Sequence, residues 1–429
     1  MEVPVLKKLR IDSIAFIVIL TVLGVANLLN FNKPEVSKLE NRALKQKPQF
    51  SFSEFIKGNN AEDYEDYFSD TFILRDNMVQ LSRDVQHALQ FLGQDVSLVA
   101  SEDDLPDQNG KETEGEGEKP PEEEIKKDFG DGPNVGYWLV VDGEAVQLFK
   151  FNKESFEYYA QVLNKFSQKL GSDVKLYSMI PPTNGEFLKL KKYKGMTDSQ
   201  NDALDFLKSK LDDSISSINV YDALNRHTDE YIYFRTDHHW TALGAYYAYA
   251  SFMENTGRQP VALESYEQID IGDFLGSSYK KTLNDSLKKN PDHIIVYKPF
   301  TGYEYLMYNS GKEKKADIID LKYANKITDK YLAFMSSGGA NWSVVKTDVH
   351  NGEKVMVVKD SFGNAFVPFL LPHYEEIYVV DSRFYNVSTT GNIVDFVKEN
   401  GINEVVFCIY MEDVNWHKFM SSVEHLLGE

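Results

Sequence analysis

The chain is short of cysteine, histidine and positive charge. A single cysteine, Cys408, rules out any disulfide within the chain. Its place in the apolar run Val405-Val406-Phe407-Cys408-Ile409 gives it the setting of a small buried hydrophobe. With 46 Lys and Arg against 66 Asp and Glu, the formal charge is −20. That excludes the clustered basic surface a nucleic-acid partner needs. Histidine occurs nine times in 429 residues, so any clustering of imidazoles calls for an explanation. Apolar and aromatic residues are not scarce, at 42% and 13%. They suffice for a sizeable core, and the length implies a main domain with additions.

One long uncharged run stands at the N-terminus. Lys7, Lys8 and Arg10 precede Ser13 to Asn32, a stretch free of charge and rich in Ile, Val and Leu. Twenty such residues at helical rise cross a hydrocarbon core, and the basic flank sets a cytoplasmic N-terminus with the rest of the chain outside. A cleaved signal peptide is the rival reading, but its apolar core would be shorter and no small-residue cleavage site follows. An uncleaved single-pass anchor over residues 1–34 is therefore expected. Residues 35–100 read as a helical segment. Within it Tyr64, Tyr67, Phe68, Phe72, Leu74 and Met78 recur every three or four positions, as on an amphipathic helix, and Phe68 to Arg75 interrupts the run. Residues 101–130 hold twelve acidic and four basic residues with almost no aliphatic ones, so they cannot bury enough apolar surface to order themselves. They read as an acidic disordered insertion. The main domain runs over 131–429.

That domain opens on a hairpin, Tyr137 to Val141 and Ala145 to Phe149 around an Asp142-Gly143 turn. Helical and strand patterns then alternate. Apolar runs at Val174 to Ile180, Val355 to Val358, Ile377 to Val380 and Val405 to Ile409 read as buried strands of a parallel sheet covered on both faces, an α/β fold. Between Gly257 and Asp348 the pattern is of hairpins, with strands expected at Asp292 to Lys298, Tyr303 to Tyr308 and Tyr331 to Met335. In such sheets functional residues gather at the carboxyl ends of strands, where Asn184, Asp237, Ser361, Arg383 and Tyr410 fall.

Two of these segments carry chemistry. Arg235-Thr236-Asp237-His238-His239-Trp240-Thr241 places an acid two residues before an imidazole. Lys359-Asp360-Ser361-Phe362-Gly363-Asn364 places a serine at a strand-to-helix turn. A serine hydroxyl needs a base to become a nucleophile. His239 can be that base, Asp237 can hold its second ring nitrogen, and the backbone N–H of Ser361 can help bind an oxyanion. The plainer reading is that Asp237 and Ser361 are helix caps and both histidines face solvent. A zinc site is the other use of Asp237, His238 and His239, but three adjacent ligands cannot easily surround a metal, and only the distant His293, His350 or His373 could complete it. No metal or cofactor is expected.

The segments Thr236-Asp237-His238-His239-Trp240 and Val358-Lys359-Asp360-Ser361-Phe362-Gly363-Asn364 resemble those of the DHHW family, which is similar to the alginate O-acetylation proteins AlgJ and AlgX. The resemblance extends to Glu40-Asn41-Arg42 with Pro48, Asp66 to Arg75, Gly338-Gly339, Pro368-Phe369-Leu370 and Asp381-Ser382-Arg383-Phe384-Tyr385. It implies a three-layer α/β/α sandwich like that of SGNH hydrolases, with a permuted order in which Asp and His precede Ser. By the same resemblance Asp237 orients, His239 is the general base and Ser361 the nucleophile. Arg383, Tyr410, Gly339, Asn341 and His238 are then oxyanion or substrate contacts. The implied function is a membrane-anchored, extracytoplasmic O-acetyltransferase that modifies a polysaccharide through an acyl-serine. Its acetyl donor would be a membrane-bound O-acyltransferase. A carbohydrate acetylesterase with the same triad, or a non-catalytic glycan-binding component of an exopolysaccharide export complex, are the alternatives. The Lys359-Asp360-Ser361 sequence departs from the Gly-Asp-Ser of common SGNH hydrolases, which leaves the other oxyanion donors open.

Overall fold

The computed structural model describes residues 18, 21–27, 29–30, 33–37, 42–48, 59–81, 96–100, 137–187, 194–309, 311–325, 329–337 and 339–428. The chain divides into two compact units, residues 1–94 and 95–429.

In the first unit residues 21–27 are helical. A short antiparallel ladder joins β1 (Val36–Ser37) to β2 (Arg42–Ala43), and α1 (Asn59–Asp70) follows. The interruption expected between Phe68 and Arg75 is a turn, where α1 stops at Asp70 and helix resumes at Arg75. Polar side chains fasten the pieces together. Asn27 Oδ1 accepts from the N–H of Ile73 at 3.0 Å, and Asp70 Oδ2 accepts from the N–H of Lys45 at 2.9 Å. Residues 1–17 of the expected anchor lie outside the described residues, as does the acidic insertion over 101–130. Among the described residues no helix is long and apolar enough to cross a membrane.

The second unit begins with a meander of β3 (Val96–Ala100), β4 (Tyr137–Val141) and β5 (Glu144–Leu148). Asp142 and Gly143 turn the hairpin with φ of 52° and 75°, the left-handed pair that matches strand twist. The main elements then follow in order: α2 (Lys153–Leu170), β6 (Lys175–Met179), β7 (Ile215–Ile218), α3 (Ala242–Asn255), β8 (Glu267–Phe274), α4 (Ser277–Thr282), β9 (Asp292–Lys298), β10 (Tyr303–Asn309), β11 (Lys312–Ala316), β12 (Trp342–Thr347), β13 (Lys354–Lys359), α5 (Gly363–Phe366), β14 (Glu376–Val380), α6 (Ile393–Glu399), β15 (Glu404–Cys408), α7 (Met411–Asn415) and α8 (His417–His425).

Eight strands form one sheet in the order β11-β10-β12-β14-β13-β15-β6-β7. The run from β14 to β7 is parallel, and its Val-rich central strands β13 and β15 are buried on both sides, as parallel strands require. The sheet is not wholly parallel, as the apolar runs alone had implied. Strands β12, β10 and β11 extend it antiparallel, and a tight hairpin joins β10 to β11, a connection open only to antiparallel pairs. The expected strand at Tyr331 to Met335 is instead a 3₁₀ turn over Lys330–Ala333, tied to the sheet region by a lone bridge between Ile319 and Phe334.

Helices cover both faces. On β6 the neighbouring side chains of Tyr177 and Ser178 point to opposite sides. Tyr177 packs edge-on against Phe252 of α3, with centroids 5.2 Å apart. Ser178 bonds the hydroxyl of Tyr159 on α2 at 2.9 Å. Thus α2 and α3 are the two outer layers, and the sheet between them delivers its strand ends to one edge.

Candidate active site

The loop from Tyr233 to Trp240 is closed on itself. Tyr233 and Trp240 pair as an antiparallel bridge, the N–H of Phe234 donates to the His239 carbonyl at 3.2 Å, and the N–H of Thr241 donates to the Ile232 carbonyl at 2.9 Å. Thr241 then caps α3 through the N–H of Gly244. The turn that a close Asp and His require is therefore this looped ladder, and α3 starts only after it. Asp292, at the head of β9, anchors the loop from below. Its carboxylate accepts from the N–H of Arg235 at 2.8 Å and of Thr236 at 2.7 Å, and from the Tyr231 hydroxyl.

Within the loop Asp237 faces His239. Asp237 Oδ1 accepts from the His239 backbone N–H at 2.9 Å and lies 2.5 Å from its Nδ1. Oδ2 accepts from the N–H of Ser277 at 2.7 Å. Gly276 makes this approach feasible, since a Cβ there would fall 2.3 Å from the Asp237 side chain. Burial alone would raise the Asp237 carboxyl. The neighbouring His239 charge and hydrogen bond outweigh it and, with His238 and the Ser277 N–H, hold it well below the usual carboxylate range. On its other side His239 Nε2 lies 2.7 Å from Ser361 Oγ. Asp237, His239 and Ser361, 122 residues apart in sequence at the last step, thus form one hydrogen-bonded line.

Ser361 sits where β13 gives way to α5. Asp360 shapes the turn, accepting from the N–H of Phe362 at 2.8 Å and from the N–H of Tyr410. The indole of Trp240 donates to the Phe362 carbonyl at 3.0 Å, so the loop that carries His239 also grips the backbone after Ser361. Gly363 is required by the Lys359 side chain, which a Cβ would meet at 2.6 Å. The backbone N–H of Ser361 makes no hydrogen bond to any described residue, and it is left open beside the hydroxyl. Helix α5 has only four residues, so the serine's own amide, more than a helix dipole, is the donor at this point.

The other residues singled out by sequence divide. His238 is in the site: its ring lies 3.8 Å from that of His239 and its Nδ1 is 2.5 Å from Ser277 Oγ. Burial, then the His239 charge, holds it well below the usual histidine range. Tyr410 forms a wall, its ring stacked on Phe362 at 4.1 Å and its hydroxyl donating to Gln147 at 2.7 Å. Arg383 grips Asp381 with two bonds, 2.8 and 2.6 Å, and Asp381 also pairs with the buried Lys359 at 3.6 Å. Asn341 spends its side chain on the loop after β14, donating to Thr390 and accepting from the Asn386 N–H. Its backbone N–H goes to Asn309. Gly339 is exposed, with only the Phe384 ring nearby. Neither Asn341 nor Gly339 makes a contact with Asp237, His239 or Ser361. Asn184 bonds the β5 hairpin through Gln147 and Ala145.

Asp237, His238 and His239 do lie close enough to share an ion, but doing so would break the Asp237–His239 and His238–Ser277 bonds. Sequence reading missed Tyr331, whose ring stacks on His239 at 3.8 Å and whose hydroxyl donates to the Ser361 carbonyl at 3.1 Å. It also missed the Gly276-Ser277 clamp and Asp292. A Gly-Ser pair ahead of a helical run was the one available signal.

Solved structures similar to this chain include the following three. A DHHW family protein from Eubacterium siraeum is 31% identical, with a TM-score of 0.61 over 68% of this chain and 95% of that one. Bacillus cereus PatB1 is 21% identical, with a TM-score of 0.57 over 66% of this chain and 99% of that one. The same PatB1 with a sulfonyl adduct is 20% identical, with a TM-score of 0.56 over 67% and 97%. No match is found among curated protein sequences. The DHHW protein family profile matches residues 125–380, a span that holds both the Asp-His-His-Trp loop and Ser361, and the chain belongs to the DHHW family.

Proposed function

We propose that this protein is an O-acetyltransferase that works through an acyl-serine on Ser361 and passes the acetyl group to a hydroxyl of a polysaccharide. The observation that carries the reading is the line Asp237–His239–Ser361, with 2.5 and 2.7 Å links, beside an unbonded Ser361 N–H. In the first half-reaction His239 Nε2 takes the Ser361 proton as Oγ attacks the acetyl carbonyl. The Asp237 carboxylate stabilises the imidazolium so formed, and the Ser361 N–H faces the oxyanion. The bond to the donor's alcohol breaks and that oxygen takes the proton from His239, leaving acetyl-Ser361. In the second, an acceptor hydroxyl gives its proton to His239 and attacks the ester, and the serine recovers the proton as it leaves.

PatB1, whose fold this chain shares, has been solved with a sulfonyl adduct, and activated hydroxyl nucleophiles are what such electrophiles trap. The aromatic walls of Tyr331, Phe362 and Tyr410 suit stacking against sugar rings. The uncharged run Ser13 to Asn32 supports a membrane anchor with the catalytic unit outside the cytoplasm. On its helical part Val18, Val22, Val25 and Leu29 are exposed. A membrane-bound O-acyltransferase is the acetyl donor we expect beside it.

The test is to give the full-length protein in detergent an acetyl-ester donor and a panel of oligosaccharides, then weigh the products by mass spectrometry. Acetylated glycan that vanishes in Ser361→Ala supports the transferase. Free acetate alone would make it an esterase, and no Ser361-dependent turnover would leave a glycan-binding role.

A further inference from the structure

His238 is left unused by the mechanism above, yet it stands directly beside the base. Its Nδ1 and that of His239 face the same Asp237 oxygen, at 3.8 and 2.5 Å. In each ring Nε2 lies across from Nδ1; on His239 it reaches Ser361 Oγ at 2.7 Å, and His238 packs its ring against that one. The rings are 3.8 Å apart and tilted by 38°.

Ser277 is the hydrogen-bond partner of the His238 ring and can set its tautomer. The His238 backbone N–H donates to Ser277 Oγ at 3.4 Å, and Oγ lies 2.5 Å from Nδ1. A Ser277 hydroxyl that donates its proton to Nδ1 leaves the His238 proton on Nε2. That Nε2–H has no partner among the described residues. About a quarter of the side chain is exposed, between the rings of Phe362 and Tyr410, whose centroids lie 5.8 and 5.9 Å away. Burial and the adjacent His239 charge keep the ring neutral, so it offers a donor and no competing base.

We infer that His238 Nε2–H binds the oxygen next to the reacting hydroxyl, so that the acceptor site selects a vicinal diol, one oxygen on His239 and its neighbour on His238. The inference rests on the acyl-serine reading. The alcohol that leaves or attacks the acyl carbonyl exchanges its proton with His239 Nε2. The position within reach of the adjacent Nε2–H is therefore the acceptor's own neighbouring oxygen and not the oxyanion, which points to the Ser361 amide. Oxygens on adjacent ring carbons are spaced to meet two stacked imidazoles. A simple alcohol fills only one of the two positions.

The experiment uses the full chain, p-nitrophenyl acetate as acyl donor, and two matched acceptors, 1,2-cyclohexanediol and cyclohexanol. Acetylation of each is measured by mass spectrometry as the ratio of their kcat/KM values. Wild type should favour the diol, and His238→Ala should lower the ratio roughly fivefold, the worth of one neutral hydrogen bond. His238→Gln, which puts an amide N–H near the Nε2 position, should recover most of it. Ser277→Ala removes the hydroxyl that fixes the tautomer while keeping its backbone bond to Asp237, and it should lower the ratio in part. This second variant tests the idea if His238→Ala proves unstable. An equal preference for both acceptors in wild type, or a ratio unmoved in both His238→Ala and Ser277→Ala, overturns the inference. Acetyl-Ser361 seen on the intact protein with no diol preference sinks this inference alone. Its absence sinks the acyl-serine reading as well.

Discussion

The two ends of the parallel strands both bury charge, and they finish it differently. At the amino end Glu404, 1% exposed, accepts from Arg258 at 2.9 and 3.1 Å and from the Tyr374 hydroxyl at 2.6 Å. Arg258 also reaches Glu353 at 2.9 Å. Every group there is answered by another. At the carboxyl end Lys359, Asp381 and Arg383 form a similar closed set, and Asp360 is fastened to two backbone N–H groups. Burial, with Asp360 beside it, raises the Asp413 carboxyl well above its ordinary value, so that pair favours holding a proton. On top of this closed layer the Ser361 N–H and His238 Nε2 have no partner among the described residues. The same device, a buried ionic cluster, locks one edge of the sheet and at the other supports a short row of groups held ready for something outside the chain. Unfinished hydrogen bonding, more than charge, separates the edge that holds Ser361 from the one that holds Glu404.

That contrast can be broken from either side. Ser361→Ala should lower acetyl transfer by about 10⁴-fold or more while shifting unfolding by no more than about 0.5 kcal/mol, read from turnover and denaturant melts of the same sample. Glu404→Ala should do the reverse. It leaves Arg258 with only Glu353 as a charge partner, beside the Tyr374 hydroxyl, and should cost about 3 kcal/mol in stability, with turnover per folded molecule unchanged. A large loss of activity in that variant would mean the two edges are not separate. Trp240→Phe falls between them, because the indole is buried in the core yet donates to the Phe362 carbonyl behind Ser361. It should cost about 1–3 kcal/mol and lower kcat roughly tenfold, whereas a stability loss with kcat intact would show that the carbonyl needs no anchor.

Much of the carboxyl edge was legible because its chemistry is written in rare residues at strand ends. The Asp-x-His spacing and the serine after an all-apolar strand needed only the alternation of strands and helices to bring them to one edge. What was not legible depends on partners distant in sequence. Tyr331 sits in an unbroken apolar stretch that suggested a strand, and only the 3₁₀ turn swings its ring onto His239. Asp292 looks like the polar start of a β-hairpin until Thr236 is placed over it. Asn341 and Arg383 have the residue types of ligand contacts, but their hydrogen bonds go to the loop after β14 and to Asp381. Type and position in sequence cannot show which donors are already spent. The antiparallel extension of the sheet was hidden for a related reason, since strand direction depends on which strands pair and not on apolar content.

The amino edge offers the mildest test, through His373. Its Nε2 bonds the Tyr249 hydroxyl at 2.6 Å, and burial, with Arg258 adding to it, lowers its pKa to about 4. In the unfolded chain a histidine titrates near 6.5. Because the folded value is the lower one, the unfolded chain binds the proton first as pH falls. The stability His373 contributes is thus complete above about pH 6.5 and drains away as pH drops towards 4. His373→Gln, which keeps a polar partner for Tyr249 but cannot titrate, should flatten the slope of unfolding free energy against pH across that window. Stability at neutral pH should change far less than in Glu404→Ala. An unchanged slope would mean the proton is taken up elsewhere. A changed pH profile of acetyl transfer would show that this edge is coupled to the catalytic one after all.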